Sequence, residues 1–95
     1  MEERNFRIHL IAIVVVCIAG IYFDLSATEW ALIVVSIGMV IAAELFNTAI
    51  EDLVDLVSPQ KNPKAGRIKD ISAAAVMATA IAALVVGIYI FGNKI

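Results

Sequence analysis

A chain of 95 residues is at most one domain, and with 62% hydrophobic residues and a mean hydropathy of +0.96 it lies well above soluble compositions, so it reads as an integral membrane protein. The net charge of −2 and the lack of a basic patch interleaved with aromatics give no footing for a nucleic-acid partner. One cysteine, Cys17 in an aliphatic run, excludes an intramolecular disulfide and a Cys/His metal site, and is read as packing.

The first apolar run, residues 8–23, is about 24 Å long as a helix, short for a hydrocarbon core of about 30 Å. It is therefore expected to extend back through residues 3–7, giving a first helix over about 3–23. The mixed charges of Glu2, Glu3, Arg4 and Arg7, with no small-x-small cleavage site after the run, mark a retained span rather than a signal peptide. Residues 24–28 break the pattern, with Ser26 or Thr28 as N-cap and Glu29 early in the next helix.

The second helix is predicted over about 29–57. At more than about 40 Å it is longer than a bilayer core, so its last third emerges into the interface. Ser58 and Pro59 stop it, and residues 58–66 form a polar loop with Pro59, Pro63 and Gly66. The third helix is predicted over about 70–91, with small residues recurring every four positions at Ala75, Thr79, Ala83 and Gly87 and at Ala74, Ala78 and Ala82. Gly38 and Ala42 make a similar notch on the second helix; such rows let backbones approach closely in lipid. The fold class is thus an all-α membrane protein, a single domain over 1–95 with three transmembrane helices, and so small a bundle is expected to oligomerise.

Positive charge sets the orientation. Arg4 and Arg7 precede the first span, and Lys61, Lys64, Arg67 and Lys69 lie between the second and third, whereas residues 24–29 carry none. The positive-inside rule places the N-terminus and the second loop in the cytoplasm, and Tyr22, Phe23, Trp30, Tyr89 and Phe91 then form an outer aromatic belt.

Glu44, Asn47, Glu51 and Asp55, at spacings of 3, 4 and 4, interrupt this second span. They fall in a stripe roughly 80° wide, with Thr48 at its edge. Ionisable groups near membrane depth are costly and tend to face a bundle interior. Carboxylates on one face can hold Mg²⁺ through oxygen. A deeper one can take a proton from a lipid hydroxyl, and cationic Lys69 can neutralise charge on a transferring phosphoryl group. Plainer readings stand beside these: Asp52 and Asp55 solvated at the headgroups, Asp70 an N-cap, Lys69 snorkelling, and His9 a hydrogen-bonded structural residue. A proton or ion relay, or a non-catalytic membrane partner using the small-residue rows, are readings of a different class.

The pattern E-x-x-N-[ST]-A-I-E-x-x-x-D, here Glu44, Asn47, Thr48, Ala49, Ile50, Glu51 and Asp55, with Gly66, Arg67, Lys69, Asp70 and an alanine-rich stretch over 72–76, closely resembles the bacterial integral-membrane diacylglycerol kinase/undecaprenol kinase family. Glu3, Phe6, Arg7 and His9 resemble the family's first-helix start in its undecaprenol-kinase form, so the likeness spans essentially the whole chain. The resemblance implies a homotrimer of three-span subunits in the bacterial inner (plasma) membrane, with active sites shared between neighbours at the cytoplasmic face. It implies transfer of the γ-phosphate of ATP, with Mg²⁺, to a lipid alcohol: undecaprenol, or diacylglycerol as the alternative. It implies Glu44 as general base, Glu3 and Glu51 as Mg²⁺ ligands, Asn47, Lys69 and Asp70 as contacts to nucleotide phosphates or organisers of the site, and Asp55 as a carboxylate near the nucleotide's cytoplasmic end. The family's amphipathic surface helix, which precedes the position of Glu3, is expected to be lacking from residues 1–95.

Overall fold

The structure, a computed structural model, describes residues 3–95, with side chains from Asn5 onward. These residues form three helices, α1 (Glu3–Tyr22), α2 (Ala27–Val57) and α3 (Pro63–Gly92), and no strand. All three are long and apolar enough to cross a membrane. The molecule extends over 51 × 22 × 18 Å, longer than a bilayer of about 40–45 Å with its headgroups.

The α1–α2 connection is a four-residue corner built from two helix signals. The Leu25 amide donates to Gly20 O at 3.1 Å and the Asp24 amide to Ile21 O at 3.2 Å, with Asp24 in the left-handed region at φ 54°. This is a Schellman closure, with an aspartate where glycine is usual because a short polar side chain tolerates that conformation. Ser26 then caps α2: the Glu29 amide donates to Ser26 Oγ at 3.2 Å, and the Ser26 amide to Glu29 Oε1 at 2.9 Å. Leu25, just before the cap, packs with Trp30 in a cluster with Ile33 and Ile90, the staple that fixes the chain's entry into the helix.

α2 stops at Ser58, whose amide bonds Val54 O at 2.7 Å, before Pro59. α3 then begins at Pro63 instead of about Asp70, a correction of seven residues. Asn62 is the N-cap, accepting from the Lys64 amide at 2.9 Å. Pro63 occupies the first helical position, where its missing N–H costs nothing. What reads in the sequence as loop punctuation is a helix start, and Asp70 is two turns inside α3 instead of capping it.

α2 and α3 pack antiparallel along their length. Ala65, Lys69, Ser72, Val76, Thr79, Ala83, Val86 and Ile90 are the more covered positions of α3, at the three- and four-residue spacing of one face. α1 meets this pair at Gly20, against Trp30 and Leu25, and at His9, against Glu44. Between these points lies an apolar cleft of about 660 Å³, walled by α1 at Ala12 and Val16, α2 at Ile37 and Val40, and α3 at Ala83 and Gly87. Thr79 and Ala83 of one small-residue row lie on the covered face of α3, whereas Ala74, Ala78 and Ala82 of the other are exposed, and a Cβ added at Gly38 or Gly87 would meet nothing within 4 Å.

Candidate active site

The stripe on α2 forms a ladder of polar contacts, each rung closed by another residue. Glu44 is deepest; its side chain is 17% exposed, and its Oε1 lies 3.1 Å from Nε2 of His9 on α1. Thr48 Oγ1 donates to the backbone oxygen of Glu44 at 3.0 Å, so this hydroxyl leaves the carboxylate alone.

One turn on, Asn47 is held from both sides. Its Oδ1 accepts from Ser72 Oγ of α3 at 2.6 Å, and its Nδ2 donates to Glu51 Oε1 at 2.9 Å. Ser72 is the buried polar residue of the α2–α3 seam, at 8% exposure. Toward the second loop, Lys69 Nζ meets Asp55 Oδ1 at 2.5 Å, with the side chains 35% and 63% exposed. An ion pair this open adds little to stability, so its placement matters more than its strength. From Glu44 to Asp55 the ladder spans about 16 Å.

The structure therefore brings Glu44, Asn47, Glu51, Asp55 and Lys69 onto one seam. Asp70, one position past Lys69, turns about 100° around α3; it is exposed and has no hydrogen-bond partner among the described residues. Glu3 opens α1, and its side chain lies outside the described residues.

Among the described residues no three His, Cys, Asp or Glu side chains converge as a ready-made metal cage. The donors present are hard carboxylate and amide oxygens, with Glu51 and Asp55 one turn apart. That set suits Mg²⁺, which usually takes one or two protein carboxylates and fills its octahedron with phosphate oxygens and water. Beside Asp55 and Lys69, a polar pocket of about 190 Å³ opens against Lys61 and Gly66 at the start of α3.

Two contributors were not singled out as site residues from the sequence. Ser72 is hidden in an alanine-rich stretch, although it is the polar member of the row Lys69, Ser72, Val76 and Thr79 at helical spacing nearest Asn47. His9 is hydrogen-bonded, as expected, but its partner is the deepest carboxylate, and no local spacing links positions 35 residues apart.

The model of the family described as prokaryotic diacylglycerol kinase matches residues 1–91. The chain is 41% identical over 93 residues to an undecaprenol kinase of Bacillus subtilis (strain 168), covering 98% of this chain and 76% of that protein. It is 41% identical over 86 residues to a diacylglycerol kinase of Synechocystis sp., covering 90% of this chain and 49% of that protein. To a diacylglycerol kinase of Escherichia coli (strain K12) it is 29% identical over 85 residues, covering 90% of this chain and 70% of that protein.

Proposed function

This chain belongs to the prokaryotic diacylglycerol kinase family, and from that premise we propose that it is a membrane lipid kinase that transfers the γ-phosphate of ATP to undecaprenol. The choice of acceptor is supported by the relative named undecaprenol kinase, similar over 98% of this chain. Diacylglycerol is the second reading, supported by the names of the Synechocystis and Escherichia coli relatives.

The observation that carries the mechanism is the seam itself, with a half-buried carboxylate at its apolar end and a cation at its exposed end. Glu44 accepts the proton of the acceptor's hydroxyl. The hydroxyl oxygen forms a bond to the γ-phosphorus, the bond from that phosphorus to the β,γ-bridging oxygen breaks, and ADP leaves with the bonding pair. Lys69 faces the charge that develops on the phosphoryl oxygens, and Asn47 fixes Glu51. Glu51 and Glu3 would hold Mg²⁺, whose charge, when bound, draws the phosphates together and neutralises them. Asp55 and Asp70 organise the nucleotide's outer end. The excess of positive residues around the N-terminus and second loop supports a cytoplasmic position for this end, where ATP is. The working unit is a homotrimer in the bacterial plasma membrane.

The test is transfer of labelled γ-phosphate by the purified protein in mixed micelles, with undecaprenol and diacylglycerol assayed side by side. Wild type should phosphorylate undecaprenol faster, and Glu44→Gln should lower the rate by about 10² or more. Wild-type transfer no greater than that of folded Glu44→Gln with either lipid overturns the reading. Faster transfer to diacylglycerol reassigns the acceptor.

A further inference from the structure

The geometry points to His9 as a positioning residue for the reaction: its imidazole Nε2–H, donating to Oε1 of Glu44, holds that carboxylate in place and turns its other oxygen to the acceptor hydroxyl arriving from the apolar cleft. This rests on Glu44 being the general base.

Three observations support it. First, the contact is 3.1 Å, with the two side chains 26% and 17% exposed, so it is partly shielded from competing water. A carboxylate anion has only acceptors, so the hydrogen between them must come from the imidazole. Second, His9 is the side-chain partner of Glu44 among the described residues, since Thr48 bonds the backbone oxygen. Third, His9 lines the apolar cleft between the helices and Glu44 does not. The imidazole thus stands between the space an acceptor's hydrocarbon would enter and the group that takes its proton.

The surroundings make this pairing consequential. One turn either side of His9 on α1 are Asn5 and Ile13, and beside Glu44 on α2 are Val40, Ile41 and Thr48. The face of α3 at this height carries Val76, Thr79 and Ala80. None of these is ionisable. Arg7 lies about 200° around α1 from His9, and the nearest acid on the stripe is Glu51, about 10 Å along α2. Without the imidazole, no side-chain partner among the described residues would fix the orientation of this carboxylate.

A purely structural clasp between α1 and α2 is the competing account, and the split between kcat and KM, together with rescue by a variant that keeps a donor, separates the two. His9→Leu should lower kcat at neutral pH by about tenfold or more, the scale of a hydrogen bond to a charged group. It should leave KM for ATP within about twofold, because the contact bears on the chemical step and not on nucleotide binding. His9→Gln, which keeps an N–H donor, should recover most of the neutral-pH rate. His9 is the chain's single histidine, so histidine-selective ¹⁵N labelling of the full chain in micelles gives the Nδ1 and Nε2 signals of one ring. Those signals should show hydrogen on Nε2 and should change in Glu44→Ala. A kcat of folded His9→Leu within about twofold of wild type, a folded His9→Gln that recovers none of the loss, or a ring carrying its only hydrogen on Nδ1, overturns the inference. If wild type transfers no phosphate at all, the kinase reading fails and the inference falls with it. An active wild type, a dead Glu44→Gln and an unaltered His9→Leu would instead overturn the inference alone.

Discussion

Asn47 shows how one amide can organise charged neighbours. Its oxygen is taken by Ser72 and its nitrogen by Glu51, so its orientation is set, and with it one oxygen of Glu51. Ser72→Ala removes the α3 side of this bridge and leaves Asn47 Oδ1 without its partner in a part-buried seam. The variant should lose about 1–2 kcal/mol of stability. Because Glu51 loses a fixed neighbour, KM for ATP should rise several-fold while KM for the lipid stays put. Denaturant titration in mixed micelles and steady-state kinetics check the two halves of this prediction separately. Gly20 is the other residue whose identity is dictated by contact. A Cβ there would stand 2.5 Å from Trp30 Cη2 and 3.1 Å from Leu25 Cδ1. Gly20→Ala must push the indole aside, and the overpacking should cost about 1–3 kcal/mol in the same titration. Gly20→Ala as stable as wild type would mean the corner repacks freely.

The helices are delimited by their caps more than by their hydrophobic lengths. Ser26 and Glu29 close a reciprocal box, and Lys94 reaches back from the end of the chain to Glu29 at 3.1 Å. Ser26→Ala should cost about 1 kcal/mol. It should leave phosphate transfer unchanged, because α2 separates Ser26 from Glu44 by about 27 Å. Loss of both stability and rate would mean that the corner and the seam are coupled. At the opposite end, Asn62 and Pro63 start α3 seven residues before the apolar pattern begins. That early start makes Lys69 a helical residue aimed at α2, where a loop lysine would have had no defined direction.

The single chain leaves most of its apolar surface uncovered. Among the described residues Leu25, Ile33, Val54 and Ile90 are the buried hydrophobic ones, while large side chains such as Ile18, Phe46, Leu53 and Tyr89 are more than half exposed. In a membrane such a surface meets acyl chains at no hydrophobic cost, and the exposed row of Ala74, Ala78 and Ala82 on α3 suits contact with another helix. With the homotrimer proposed above, crosslinking or native mass spectrometry of the detergent-solubilised protein should give a trimer. Monomer alone at concentrations that support activity would remove the shared-site arrangement.

Span number, the α2 stop at Ser58 and the stripe of Glu44, Asn47, Glu51 and Asp55 were legible in the sequence, because hydropathy and a 3.6-residue period are local properties of a chain. The motif likewise carried the family, which the comparisons bear out. The start of α3 was misread because proline and asparagine mark loops and helix starts alike, and only the backbone that follows distinguishes them. Tertiary structure alone decided the partners: Ser72 for Asn47, Lys69 for Asp55, His9 for Glu44. Each joins residues on different helices, 14 to 35 positions apart. Such pairs follow from how far one helix slides along another, and helix register is set by packing between faces, which no local pattern encodes.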